Sequence, residues 1–385
     1  MRIAIACSGL GHVQRGIEVW AKALAEGLHR EGCDVVLFHG GNAVAFQCPN
    51  KPLRFFRRAD RWTQIWTRLA PSFMWRWGQK STYEFEQRSF ARAMLPHLRE
   101  GGFDIVHTQD VEVALAVERE RRAGRLNVAT VFAHGTNEDP AMLAQFRYLQ
   151  HITSAAGERA EEEVGGDAVH FTVSNFLDPA HFGHGTATGA TAARDRWGVP
   201  HDAYVIGCAG VLIKDVKRMD ALIPEVAGLM DREKNVFLFL AGHATSQTAA
   251  IEQEARAALG ERQCVVRDLP FEAMPHFYRA IDLFVLPCMI ETFGICLVEA
   301  MIEGVPVVAH DSPALRSVVG EGGWSVDVGR AGFLTEQWDA IRANASARSV
   351  AARHQAGAFT WDVVYPQFMA MYEDVMRDSS ARNAA

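Results

Sequence analysis

The feature that most constrains this chain is a pattern that occurs twice. Short apolar runs alternate with stretches whose apolar residues fall at helical spacing. In the first half the runs are residues 2–7, 35–38, 103–107 and 128–132. Between the first two, Ile17, Trp20, Ala21, Leu24, Ala25 and Leu28 recur at i, i+3 and i+4, the spacing of one buried helix face. After residue 200 the alternation restarts, with runs at 204–208, 236–240, 265–266, 283–286 and 305–308. Apolar runs this short read as buried strands, and helices between them make the strands parallel. The expected fold is therefore α/β, with two Rossmann-like, doubly wound parallel-sheet domains facing a cleft. Ligands of such sheets sit at the carboxyl ends of the strands. The segment Gly183-His184-Gly185-Thr186-Ala187-Thr188-Gly189-Ala190-Thr191 has small residues and no apolar periodicity, so it reads as the linker.

Composition narrows the function classes. A length of 385 residues allows two to three domains, and 49% hydrophobic with 22% charged residues excludes a disordered chain. A formal charge of −7 argues against a dedicated nucleic-acid binder. The seven cysteines form no CxxC pair and mostly fall in apolar runs, as core residues of a reducing compartment do. No apolar run approaches the ~18–20 residues that span a bilayer. Met1-Arg2-Ile3-Ala4-Ile5-Ala6-Cys7 is too short for a signal peptide and reads as a first strand. A cytoplasmic protein is expected.

Two segments carry chemistry. In the first, a strand ends at Leu286-Pro287, a loop carries Glu291, a helix starts near Gly294, and Glu299 lies a turn and a half further on. Free amides at a helix start attract anions, and a glycine there lets a ligand approach the backbone. The second, Gly210-Val211-Leu212-Ile213-Lys214-Asp215-Val216-Lys217-Arg218, follows a strand and is expected to open a helix. Cations beside helix amides suit a diphosphate and neutralise a leaving group. Taken singly, each also reads as an ordinary strand–loop–helix with surface charges. No compact His/Asp ligand cluster such as HExxH is present, and no metal is expected.

Together these segments resemble the retaining glycosyltransferases of family 4, which have the GT-B fold. The resemblance includes Glu291 and Glu299 in E-x7-E spacing, followed by Glu303-Gly304-Val305-Pro306-Val307-Val308, and the Lys217-Arg218 pair. It also includes Phe277-Tyr278-Arg279-Ala280-Ile281-Asp282, Phe103-Asp104-Ile105-Val106-His107, the Ala133-His134-Gly135 turn, Asn175-Phe176-Leu177-Asp178, and Phe359-Thr360-Trp361 before a final helix. It implies an N-terminal acceptor-side domain at 1–186, a C-terminal nucleotide-sugar-binding domain at 187–358, and a segment 359–385 that crosses back to the first domain. It implies that Lys217, with Arg218 beside it, contacts the donor diphosphate, that Gly294 and Ile295 supply amides, and that Glu299 holds the ribose hydroxyls. Glu291 and His134 would act at the transferring sugar. Gly242 would approach the nucleotide, and Gly11 and His12 would line the cleft beneath the diphosphate. The co-substrate is then a nucleotide-diphosphate sugar, with no cofactor and no metal. One departure stands out: where family members often carry arginine after the glycine at position 210, this chain has Val211, and Lys214 is a candidate replacement.

Residues 51–80 are strongly basic and aromatic, with eight Lys or Arg against the single Asp60, and include Trp62, Trp66, Trp75 and Trp77. Three readings fit: a helical insertion packed on its domain, an acceptor site for a glycan, lipid-linked or small-molecule acceptor using Trp62 and Trp66, or peripheral contact with the inner face of a membrane. Rival functions are a catalytically inactive sugar-nucleotide-binding or scaffold protein and a nicotinamide-dependent oxidoreductase. The second fits poorly, because Gly9 and Gly11 are not followed by the third glycine of GxGxxG and the second strand ends in His39-Gly40-Gly41 without an acid for the ribose.

Overall fold

The computed structural model describes residues 1–13, 16–41, 45–69, 81–135, 138–177, 181–182 and 187–384. The chain divides into two compact units, Met1–Ser174 with Val364–Ala385, and Asn175–Val363. The first holds a seven-stranded sheet: β1 (Arg2–Cys7), β2 (Asp34–His39), β3 (Asn50–Pro52), β4 (Ile105–Thr108), β5 (Ala129–His134), β6 (Tyr148–His151) and β7 (Val169–Thr172). The second holds six strands: β8 (Tyr204–Ala209), β9 (Val236–Gly242), β10 (Cys264–Asp268), β11 (Leu283–Leu286), β12 (Val307–His310) and β13 (Gly323–Val326). The spatial orders are β3-β2-β1-β4-β5-β6-β7 and β10-β9-β8-β11-β12-β13, and every pairing is parallel. Every expected strand is present. The structure adds β3, β6, β7 and β13, whose Asn-Lys-Pro, Tyr-Leu-Gln-His, Val-His-Phe-Thr and Gly-Trp-Ser-Val lack a continuous apolar run.

The central strands are apolar because both faces are covered: all six residues of β8 and all seven of β9 are buried. Each buried Ile, Leu or Phe there contributes about 1.5–3 kcal/mol. The helix Gly16–Arg30 buries Trp20, Ala21, Leu24, Ala25 and Leu28, the face its spacing predicts. In each sheet the strand order reverses once, between β1 and β4 and between β8 and β11. Loops leaving the carboxyl ends of those strands diverge there and open a crevice.

The final helix, Trp361–Ala384, buries Val364, Phe368, Met371, Tyr372 and Val375. Tyr372 Oη lies 2.7 Å from His107 Nδ1 on β4, and Arg147 and Tyr148 both bond Asp378, so the helix docks on the N-terminal sheet. Its first turn stays with the other unit, where Trp361 packs on Phe176 and donates its backbone N–H to the Leu177 carbonyl. That contact, with Phe182 against Phe271 and Tyr278, draws the segment from Asn175 into the C-terminal unit. The division therefore falls at 174/175, ahead of the expected 186/187. Of the expected linker, 183–186 lie outside the described residues, and 187–191 open the helix Ala187–Trp197. Its alanines favour a helix despite their small size.

Among the described residues no helix is long and apolar enough to cross a membrane. All seven cysteines are unpaired, with Cys7, Cys48, Cys208, Cys264 and Cys288 buried.

Candidate functional site

In the C-terminal unit the two chemistry-bearing loops leave β8 and β11, the neighbours at the sheet's reversal point. Lys217, from the first loop, places Nζ 2.8 Å from Glu291 Oε2 of the second. Burial works to lower the lysine pKa, but the Glu291 carboxylate outweighs it and holds the ammonium above its ordinary range. The two residues are thus a charged pair at the carboxyl edge of the sheet. Glu291 Oε1 also accepts from the backbone N–H of Thr292 at 3.2 Å. Three residues on, Gly294 sits in the left-handed region (φ 70°) and turns the loop into the helix Ile295–Ile302. A β-carbon there would strain this backbone and would also push against the end of the Leu297 side chain at 2.9 Å, so glycine is favoured. No side chain caps this helix start, which leaves its first backbone amides without a side-chain acceptor, the arrangement that suits an anion.

Glu299, on the same helix, is buried and accepts a 2.6 Å hydrogen bond from Tyr278 Oη. Burial pushes its carboxyl up to about 7, partly opposed by that bond. In the sequence Tyr278 is only one residue of a motif; its fit against Glu299 depends on how its helix packs. Gly242 ends β9 with φ 136°, and a β-carbon on it would stand 1.7 Å from the Gly210 carbonyl oxygen. The loops after β8 and β9 can therefore touch backbone to backbone only with glycine there.

Two expectations change. Lys217 and Arg218 do not begin an α-helix: residues 215–217 form a turn, followed by a 3-10 turn at Met219–Ala221 and the helix Leu222–Met230. Arg218 has φ 49°, and its guanidinium donates to the carbonyls of Val328 (3.0 Å) and Pro287 (3.4 Å). It ties three loops together, a structural role beside the Lys217–Glu291 pair. Lys214 does lie one turn ahead, its carbonyl accepting from the Arg218 backbone N–H at 3.0 Å, but its side chain is engaged elsewhere. Its ammonium bonds Glu254 and its backbone N–H donates to Gln247 Oε1.

In the N-terminal unit, the loop after β1 brings Gly11 (φ 93°) against Gly41, where a β-carbon would lie 2.3 Å from a carbonyl oxygen. This mirrors the Gly210–Gly242 contact. His12 Nε2 lies 3.0 Å from Glu86 Oε2. Glu86 is fully buried and also accepts from Arg58 Nε at 2.9 Å and from the Arg58 backbone at 2.6 Å. Burial would raise the Glu86 pKa, but the bonds from His12 and Arg58 outweigh it and lower it. Arg58 belongs to the basic stretch, so that stretch is anchored by an ion pair. Asp110, buried beyond β4, accepts from Ser8 N (2.6 Å) and Gln87 Nε2 (2.9 Å), and burial pushes it up to about 6. The sequence alone offered no partner for Glu86, Gln87 or Asp110, because their neighbours come from distant elements.

His134 ends β5, with Nδ1 3.1 Å from His151 Nδ1 and Nε2 2.9 Å from Glu138 Oε2. The Glu138 contact is close but out of line for a directed hydrogen bond. His151 in turn meets His170. The helix Arg61–Leu69 turns Thr63 inward, while Trp62 is 76% exposed and Trp66 50% exposed. Trp75 and Trp77 lie outside the described residues. Among the described residues, no cluster of His, Cys, Asp and Glu is disposed to hold a metal ion.

Residues 190–352 match the family described as Glycosyl transferases group 1, and residues 14–173 the family described as Glycosyltransferase Family 4. D-inositol 3-phosphate glycosyltransferase 1 of Catenulispora acidiphila is 29% identical over 211 residues, 49% of each chain. The lipopolysaccharide core biosynthesis mannosyltransferase LpsB of Rhizobium meliloti is 34% identical over 134 residues, 34% of this chain and 37% of that one. The chain thus spans about half the length, or less, of the curated relatives it matches. Among solved structures, a glycosyltransferase from Rickettsia africae has a TM-score of 0.76 at 14% identity, covering 97% of this chain and 98% of that one. Alr3699/HepE of Anabaena, in complex with UDP-glucose, has a TM-score of 0.72 at 14% identity over 99% and 100% of the two chains. These likenesses show the two-sheet GT-B architecture.

Proposed function

We propose that this chain, which belongs to glycosyltransferase family 4 and has the GT-B fold, moves a sugar from a nucleotide-diphosphate sugar to an acceptor hydroxyl with retention of anomeric configuration. The observation that carries the reading is the Lys217–Glu291 pair, 2.8 Å apart at the reversal point of the C-terminal sheet, beside an uncapped helix start and a buried Glu299. Breaking an anomeric C–O bond builds positive charge on the sugar and negative charge on the departing diphosphate. Lys217 and the Gly294–Ile295 backbone are matched to the negative end, and the Glu291 carboxylate to the sugar hydroxyls. Donor binding then exchanges the Lys217–Glu291 pair for two ligand contacts, one at each end of the scissile bond. Glu299, as a carboxylate, accepts the ribose hydroxyls. Lys217 is the positive charge a metal would otherwise supply, so turnover is expected without one. Gly11 would lie beneath the donor diphosphate, and on the acceptor side His12, Trp62 and Trp66 suit a glycan, lipid-linked or small-molecule acceptor. The basic helix Arg61–Leu69, with Trp62 and Trp66 exposed, suits acceptors presented at an anionic membrane surface.

Titration with UDP-, GDP- and ADP-sugars, followed by assay of nucleoside diphosphate release in EDTA, tests the reading. Release in EDTA and an α-configured product from an α-donor support it. A strict magnesium requirement or an inverted product overturns the mechanism, and donor binding without turnover across suitable acceptors favours a binding module. Co-sedimentation with vesicles that is indifferent to anionic lipid removes the membrane part.

A further inference from the structure

Strands β5, β6 and β7 carry a row of imidazoles: His134 and His151 end β5 and β6, and His170 lies two residues before the end of β7. His134 and His151 are register partners, with their Nδ1 atoms 3.1 Å apart and their ring planes at 85°. His151 Nε2 lies 3.0 Å from His170 Nδ1, in rings inclined by only 12°. His151 is fully buried, His134 is 9% exposed, and His170 is half-buried. Two imidazole nitrogens hydrogen-bond only when one carries the proton and the other a lone pair. A neutral ring has one of each, so the choice made at one ring dictates the next. Burial, with His134 and His170 beside it, pushes His151 down to about 3, and burial also lowers His170.

With neutral rings, two proton orders satisfy both contacts. In the first, His134 Nδ1–H donates to His151, and His151 Nε2–H donates to His170. That leaves a lone pair on His134 Nε2, 2.9 Å from the Glu138 carboxylate, an arrangement of like partial charges. In the second, His170 Nδ1–H donates to His151 Nε2, His151 Nδ1–H donates to His134 Nδ1, and His134 carries its proton on Nε2, toward the carboxylate. Glu138 selects the second. The other charged group acting on the row, Glu161 of the helix Ser154–Glu163, partly opposes the lowering of His170 and leaves the choice to Glu138.

We infer that His151 and His170 are positioning residues for His134, fixing it as a hydrogen-bond donor through Nε2. The motifs through which the chain resembles its family include His134 but neither of the other two. The consequence is chemical. The Nε2–H of His134 is buried, and no described acceptor lies in line with it. It is therefore set to meet an oxygen lone pair of a ligand, such as a sugar hydroxyl or ring oxygen, and not an N–H or a cation. Only the identification of that ligand as the donor sugar rests on the proposed function.

The test uses the full chain labelled with 15N-histidine, with His134→Phe to assign the ring. Long-range proton–nitrogen spectra near pH 7.5 should show a pyridine-type Nδ1 and a pyrrole-type Nε2 at His134. In His151→Phe the His134 tautomers should mix. A proton on His134 Nδ1 in the unmodified chain overturns the inference even if no variant folds, and so does an unchanged His134 tautomer in folded His151→Phe. With a nucleotide sugar that the unmodified chain turns over, His151→Phe should lower kcat at least about tenfold while the donor KM stays within about twofold. His170→Gln, whose amide still donates to His151, should recover what His170→Phe loses; equal losses in the two overturn the inference. Failure to turn over any nucleotide sugar refutes the proposed function and leaves the tautomer spectra to decide this one.

Discussion

Replacing Glu299 with glutamine should make the C-terminal unit more stable at alkaline pH and less able to hold a nucleotide. Glu299 is buried, and its hydrogen-bond partner is the Tyr278 hydroxyl at 2.6 Å. Burial moves its carboxyl from the ordinary value of 4.5 up to about 7. The folded state therefore holds the proton more tightly than the unfolded state. Stability is highest below pH 4.5 and is lost as pH rises toward 7, after which the loss is complete. At about 1.4 kcal/mol per pKa unit, the difference between pH 5 and pH 8 comes to roughly 2.5 kcal/mol. Glutamine cannot ionise, so Glu299→Gln removes this component of the slope. Other buried carboxyls, such as Asp110 at about 6, contribute equally to both proteins and cancel. The assay is denaturant unfolding of both proteins at pH 5 and pH 8, followed by tryptophan fluorescence. The stability difference, variant minus parent, should rise by roughly 2.5 kcal/mol between the two pH values. Nucleotide affinity should move the other way, falling about tenfold, because the amide offers one acceptor where the carboxylate offers two. An unchanged difference between the two pH values refutes the burial argument, and unchanged affinity refutes the ribose contact.

Other substitutions separate donor contacts from scaffold. Lys217→Ala should weaken nucleoside diphosphate binding at least about tenfold, whereas Lys214→Ala, which removes an ion pair to Glu254, should leave it within about twofold; titration calorimetry on both checks this, and equal losses would restore Lys214 to the phosphate site. Arg218→Ala should cost about 2 kcal/mol of stability by releasing the Pro287 and Val328 carbonyls; a loss of donor affinity at unchanged unfolding midpoint would contradict that role. Gly242→Ala, whose β-carbon would sit 1.7 Å from the Gly210 carbonyl, should destabilise by at least about 3 kcal/mol; an unchanged melting temperature would refute the close contact.

Much of this arrangement was legible from residue order, for identifiable reasons. Strands covered on both faces, such as β8 and β9, are apolar throughout and announce themselves, as does the helix beginning at Ile295 through the glycine before it. Strands β6 and β7 did not, because Gln, His and Thr break up or cut short their apolar residues. Their histidines become a row only once the register sets His134 beside His151. The spacing of Glu291 and Glu299 was readable, but the partner that each meets comes from elsewhere: Lys217 from the loop after β8, and Tyr278 from a preceding helix. The bonds from Arg218 to the Pro287 and Val328 carbonyls were not readable from its position beside Lys217. A left-handed residue reverses the side-chain direction, and that conformation is unusual enough in a non-glycine residue that sequence gives no notice of it.

The account turns on whether the Lys217–Glu291 pair handles a sugar diphosphate. The most direct measurement is nucleoside diphosphate release by the unmodified chain and by Glu291→Ala, in EDTA, across UDP-, GDP- and ADP-sugars. The prediction is release from at least one donor by the unmodified chain, with most turnover lost in Glu291→Ala while some affinity for the free nucleotide remains. Turnover at the parent rate in Glu291→Ala, or no binding of any nucleotide by the folded parent chain, would contradict it.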